Sequence, residues 1–163
     1  MIVVSDTSPI SNLFLIGELK LLHHIYNEVL IPNAVMNELK KLENFNISIE
    51  VIKQASWIKC IEVKHRNEVQ ELLGDLDLGE AEAIVLAKNL HADWLLIDET
   101  KGRKTAKDMG LQIVGLLGVL LLAKKEGLIH EVKSYLEKLI TKTKFRMTQE
   151  LFDEVLVLAG EVK

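Results

Sequence analysis

Four carboxylates stand in this sequence where the local pattern does not demand one. Asp6 ends the apolar, β-branched run Ile2-Val3-Val4, which suits a strand buried on both faces. Asp98 ends a second such run in "ADWLLIDETKGRK". An acid at the carboxyl end of a strand in an open α/β sheet lies where ligands bind. Each of the two also precedes a helix start, so the plainer reading of each is an N-cap.

The other two acids fall on helical patterns. In "IPNAVMNELKKL" the apolar face is Val35, Leu39 and Leu42, and at about 100° per residue Glu38 borders that stripe. It is either a rim glutamate paired with a neighbour such as Lys41 or an acid reaching under the end of the sheet. The stretch "LDLGEAEAIVLAKNL" is apolar almost all round, the mark of a helix buried on most sides. Glu80 projects among Ala83, Ile84 and Ala87, whereas Glu82 projects with Leu86 and Asn89 and is expected to be the more solvated. Glu80 is therefore the favoured member of the pair. Asp77 and Glu80 also have capping-box spacing, in which Glu80 would do no more than close its own helix.

Carboxylates that converge repel one another unless cations lie between them. Hard oxygen donors suit Mg²⁺ or Mn²⁺, and such ions activate water and hold a phosphodiester for in-line attack. Glu99, next to Asp98, is an additional candidate ligand. Arg103 is the better phosphate clamp in the basic stretch that follows, because its planar fork grips phosphate in two places. Lys101, Lys104 and Lys107 read as a solvated face. Thr7, Ser8 and Asn12 either hold a phosphate or metal-bound water, or cap the first helix. The five histidines are scattered over separate elements and suggest no site.

The elements that must position these groups alternate. Strands are expected over 2–5, 28–31, 58–63, 94–97 and 112–114. Helices are expected over 9–15, 19–25, 32–42, 47–56, 66–73, 79–90, 101–109, 115–126, 129–140 and 149–159. Strands that alternate with helices predict an α/β fold with a parallel sheet. Pro32 should open its helix and Thr148 should cap the last one. The "GLLG" at 115–118 reads as close packing. At 163 residues the chain fits one domain, 1–163, with the helices from about 129 packing on it.

The net charge of −4 argues against a general nucleic-acid coat protein but is compatible with a nuclease whose acids bind metal. A lone cysteine, Cys60, excludes an internal disulfide framework and a Cys-rich zinc site. No apolar run approaches the roughly 20 residues that span a bilayer, and no signal peptide is evident. An intracellular, cytoplasmic protein is expected.

The segments "SDTSP", "IPxAVxxEL", "LGEAEAI", "LLIDExxGR" and "GLLGVLLLAKKEGLI", in this order from Val3 to about Gly160, resemble the PIN-domain ribonucleases, within them the branch akin to VapC-type toxins. The resemblance implies a parallel five-stranded sheet flanked by helices in three α/β/α layers, with an acidic site for Mg²⁺ or Mn²⁺ at the strand ends. It implies that Asp6, Glu38, Glu80 and Asp98 are the catalytic, metal-binding acids of an endoribonuclease. The third acid is usually aspartate in that family and is glutamate here, and toxins vary where this chain has Glu99. The family commonly forms homodimers, and its toxin members bind a small antitoxin. The competing reading is a non-catalytic PIN-like module that binds RNA or protein. A haloacid-dehalogenase-type phosphatase would need a second acid where Ser8 stands, and a nicotinamide fold would need glycines after the first strand. Retention of mutually repelling acids favours catalysis over mere binding.

Overall fold

Val3–Ser5 form β1, all three residues buried, and this strand is the middle of the sheet. β2 (Val29–Pro32) and β4 (Trp94–Leu96) flank it, with β3 (Ile58–Ile61) and β5 (Ile113–Val114) outside them. The order is β3-β2-β1-β4-β5, and every pairing is parallel. The structure, a computed structural model, describes residues 1–162. Among these the helices are α1 (Thr7–Leu15), α2 (Lys20–Tyr26), α3 (Asn33–Lys40), α4 (Glu50–Gln54), α5 (Arg66–Leu72), α6 (Leu78–Asn89), α7 (Thr100–Asp108), α8 (Leu116–Lys125), α9 (Lys133–Lys142) and α10 (Gln149–Leu158), with a 3₁₀ turn over Lys41–Phe45.

Side chains alternate across the sheet as strand geometry requires, and each face has its own core. Val3 and Leu96 join Leu13 of α1, Leu22 of α2, Leu120 of α8, Leu136 of α9 and Leu156 of α10. Val4, Leu95 and Ile97 face the other way, onto Val69 of α5, Ile84 and Val85 of α6 and Ala106 of α7. The expected three-layer α/β/α architecture is therefore present. No helix among the described residues is long and apolar enough to cross a membrane.

The topology places the site. From β1 the chain steps outward to β2 and β3, then returns to β4 on the opposite side of β1. A crevice opens at the carboxyl ends of strands where the winding reverses. Asp6 follows β1, and Asp98 lies two residues beyond the end of β4, where Ile97 still donates to the Val114 carbonyl at 3.1 Å.

Several boundaries differ from the sequence expectation. Pro32 does not open a helix: it ends β2 opposite Ile61 and is the extended N-cap residue of α3. Its missing N–H is harmless in either role. Pro9 is the third residue of α1, not the first, because the helix starts directly after Asp6. The span expected as one helix over 47–56 is only α4, since the 3₁₀ turn before it ends at Asn46 in a left-handed conformation. The helix expected from 129 begins at Lys133. Ile129 and Val132 are buried as loop residues, and their apolar spacing extended the helical pattern backwards. Thr148 does cap α10, its hydroxyl accepting from the Leu151 N–H at 3.1 Å. Gly118 does pack closely, since a Cβ there would stand 2.7 Å from Val114 Cγ2.

Candidate functional site

Asp6 is 4% exposed. It occupies the N-cap position of α1, yet its side chain makes no capping bond, and Oδ1 is buried without a hydrogen-bond partner. Burial pushes its carboxyl up to about 7. The Thr7 N–H opposes that rise, and the charges of Asp77, Glu38 and Asp98 add to it. Those three acids therefore share its field.

Asp98 is not the cap of the helix that follows it, since the N-cap of α7 is Glu99. Instead its Oδ1 accepts from the Leu116 N–H at 2.8 Å, tying the end of β4 to the first turn of α8. Its Oδ2 is buried and unpartnered. Burial raises its pKa, while the Leu116 N–H and the Arg103 guanidinium pull it down.

Glu38 reaches inward from α3, and Thr7 Oγ1 donates to its Oε2. Among the described residues it has no ion pair with Lys41 or any other cation. Glu80 sits in the first turn of α6. Asp77 Oδ1 accepts from its N–H at 2.8 Å, so half of a capping box exists. The Glu80 carboxyl accepts from no backbone N–H at the helix start among the described residues. It lies against Gly102 of α7 instead. Burial comes first in pushing it up to about 8, followed by a hydrogen bond and repulsion from Asp77, then the charges of Asp6 and Glu99.

Three glycines let backbone approach these acids. A Cβ at Gly79 would stand 2.6 Å from Glu38 Oε1, one at Gly102 would stand 3.0 Å from Glu80 Oε2, and one at Gly115 would stand 2.8 Å from Asp98 Oδ1. Each belongs to the first turn or N-cap of a helix, α6, α7 and α8 respectively. The site is thus packed by helix starts, whose partial positive charge suits anions.

Glu82 corrects the sequence reading. Expected to be solvated, it is 5% exposed. Its Oε1 accepts from the Ala34 N–H at 3.0 Å and its Oε2 from Arg66 Nη1 at 2.8 Å. It fastens the start of α3 to α6 and so holds in place the helix that carries Glu38. Helical projection put Glu80 and Glu82 on different sides of α6 but could not show that a second buried element, α3, lay on the Glu82 side.

Among the supporting residues, Ser8 Oγ is buried without a partner, and Asn12 lines a groove that begins at Asp98. Arg103 folds back, its Nη1 donating to the Ile97 carbonyl at 2.8 Å beside Asp98. Glu99 is exposed, at the edge of the cluster. Asp77 is the member that sequence reasoning treated only as a cap. Its capping-box spacing was a genuine signal with two uses, because the same carboxylate that caps α6 also raises Asp6 and Glu80.

The donor set fits a hard divalent cation: every candidate ligand is a carboxylate oxygen, and Asp6 Oδ1 and Asp98 Oδ2 are buried with nothing to bond. Buried polar atoms in native proteins are almost always satisfied, so these two orphans, with the Asp98 charge acting on Asp6, fit a positive partner between them. Among the described residues no three His, Cys, Asp or Glu side chains are gathered closely enough to hold one ion. The acids form an electrostatic cluster and not a closed cage.

The model of one family, DUF3368, described as a PIN domain, matches residues 2–161. A solved structure of a PilT N-terminus domain protein from the hyperthermophilic archaeon Sulfolobus solfataricus P2 superposes with a TM-score of 0.53 at 17% identity, covering 91% of this chain and 99% of that one. No curated protein matches.

Proposed function

The chain belongs to the PIN-domain family, whose fold is of nuclease type, and from that premise we propose that it is a Mg²⁺- or Mn²⁺-dependent endoribonuclease. The observation that supports this reading is the pair of unpartnered buried oxygens, on Asp6 and Asp98, at the reversal point of the sheet with Glu38 and Glu80 around them.

In this reading the carboxylates of Asp6, Glu38, Glu80 and Asp98, which as they stand do not cage one ion among the described residues, would supply the metal's ligands, with Glu99 at the edge. A bound divalent ion supplies Lewis acidity and lowers the pKa of water for attack on phosphorus. The protein's own part is positioning. Thr7 orients Glu38 through its hydroxyl. The Leu116 N–H fixes one oxygen of Asp98 and leaves the other without a partner. Ser8 Oγ, buried without a partner, would donate to a phosphate oxygen in this reading. Arg103 holds the end of β4 through the Ile97 carbonyl and offsets the Asp98 charge.

The test is cleavage of single-stranded and structured RNAs in Mn²⁺ or in EDTA, beside an Asp6→Asn variant. Wild-type cleavage that stops in EDTA and falls at least a hundredfold in the variant is expected. Cutting in EDTA, or a variant as fast as wild type, would overturn the mechanism, and no cutting by either would favour a PIN-like binding module. The toxin role rests on motif resemblance. Its test is whether induced expression arrests growth and whether Asp6→Asn abolishes the arrest.

A further inference from the structure

A groove of about 860 Å³ runs from Asp98 and Ser8 across α1 to the chain just after α9. Its chemistry changes along its length. Of the four acids Asp98 lines the groove, together with Glu99. Leu15, Leu42, Ile47 and Phe45 give it apolar lining. Phe45 is 72% exposed, an unusual place for a phenylalanine ring in a protein with so few aromatics. At the far end are Lys142, Lys144 and Arg146, all exposed.

Those three cations stand out in a chain of net charge −4. Like most Lys and Arg among the described residues they form no ion pair; what sets them apart is that three fall within five residues and line one groove. The segment that carries them is also held in one shape. Thr143 Oγ1 donates to the Leu139 carbonyl at 2.6 Å and accepts from the Phe145 N–H at 3.0 Å. Arg146 Nη1 donates to the carbonyls of Thr143 and Phe145 at 3.2 and 2.9 Å. A basic turn held in one shape, lining the same groove as apolar side chains and an exposed aromatic ring, matches one ligand chemistry. It fits a chain of regularly spaced anions bearing flat apolar faces, that is, an unpaired nucleic-acid strand. A duplex hides the base faces that the ring would stack.

We propose that this groove is a track for an unpaired RNA strand, in which Phe45 stacks a base and Lys142, Lys144 and Arg146 hold phosphates several nucleotides away from the scissile one. The proposal rests on the nuclease reading for its direction along the strand, but strand binding itself needs no cleavage. The affinity of the site is built at the far end, where like charges are absent. The acidic end then receives a phosphate already delivered by its neighbours.

The experiment is fluorescence anisotropy of a labelled 12-nucleotide single-stranded RNA in EDTA, over a range of salt, with the full chain. Phe45→Ala is expected to weaken binding about tenfold, in line with loss of one base stack. Lys142→Ala/Lys144→Ala is expected to weaken it similarly and to flatten the log–log salt dependence by about 1.4, two phosphate contacts at about 0.7 each. Both substitutions are on exposed side chains, and unchanged melting temperatures confirm folding. A duplex of the same sequence should bind at least tenfold more weakly, and polyglutamate should not compete. Variants that bind like wild type, a duplex that binds as well as the single strand, or effective competition by polyglutamate would each overturn the track, the last in favour of an acidic protein partner. Wild type that binds in this pattern but never cuts in Mn²⁺ would sink the nuclease reading and leave the track standing.

Discussion

The carboxylate of Glu38, on α3, is seated against the α-carbon of Gly79, on α6, so closely that a Cβ at Gly79 would stand 2.6 Å from Oε1 and 2.9 Å from both Cδ and Oε2. The helix that carries Glu80 therefore also shapes the seat of Glu38. Two of the four acids are coupled through one backbone position.

Gly79→Ala follows from that seat. Glu38 would have to turn away and give up its bond from Thr7. Stability moves little, because alanine gains up to about 1 kcal/mol of helix propensity against the contact it creates. The expected outcome is a melting temperature within about 4 °C of wild type and Mn²⁺-dependent cleavage reduced at least tenfold. Thermal melting and initial rates check both.

Glu80→Gln and Glu82→Gln should give opposite results, though the two residues are neighbours. Glu82 accepts two hydrogen bonds from the Ala34 N–H and Arg66. Gln keeps one acceptor and loses the charge, so stability should fall by about 1–3 kcal/mol while cleavage survives below the melting point. Glu80 faces other acids, so neutralising it should raise the melting temperature at pH 8 and abolish cleavage. Denaturant midpoints paired with activity separate the cases. A dead, stable Glu82→Gln would exchange the two roles.

Stability should depend on pH in a direction unusual for a protein rich in salt-bridged acids. Asp6 is raised from 3.8 to about 7 and Glu80 from 4.5 to about 8. Below about pH 4 both are protonated folded or unfolded and contribute nothing. Between about pH 4 and 8 the folded state keeps protons that the unfolded chain has released, so stability falls as pH rises, and the full cost is present above about 8. The metal-free protein should melt at a higher temperature at pH 5 than at pH 8, and Asp6→Asn should flatten that slope. Adding Mn²⁺ should restore stability at pH 8 more than at pH 5, because protons and metal compete for the same oxygens, and EDTA should reverse it. Calorimetry across pH with and without Mn²⁺ reads all of these.

The sheet was legible because its signal is local. Val3, Val4, Leu95 and Leu96 are consecutive apolar residues buried on two faces, and such runs need no knowledge of the partner strand. Asp6 and Asp98 were legible for the same reason, as acids ending those runs. What local pattern did not carry was pairing between distant elements. Glu82 looks solvated along its own helix and is buried only because α3 and Arg66 cover it. Asp98 precedes a helix and looks like its cap, yet it caps α8, eighteen residues on. Gly102 and Gly115 are ordinary helix-start glycines until the carboxylates they touch are known. Ile129 and Val132 mimic a helical face while packing from a loop.

Asp98 has two oxygens with separate tasks, and substitutions can divide them. Oδ1 accepts from the Leu116 N–H at a helix start that Gly115 cannot cap with a side chain of its own. Losing a side-chain cap costs about 1 kcal/mol. Oδ2 is buried without a partner and belongs to the acidic cluster. Asn keeps an acceptor for Leu116 but presents an amide where a negative oxygen stood, so Asp98→Asn should fold like wild type and cut at least a hundredfold more slowly. Asp98→Ala removes both groups and should lose about 1 kcal/mol in addition to activity. The comparison of the two variants, by denaturant unfolding and by cleavage rate in Mn²⁺, isolates the chemical task from the structural one. If Asp98→Asn cut at the wild-type rate, the residue would be a remote cap of α8 and nothing more, and the site would have to be rebuilt on Asp6, Glu38 and Glu80 alone.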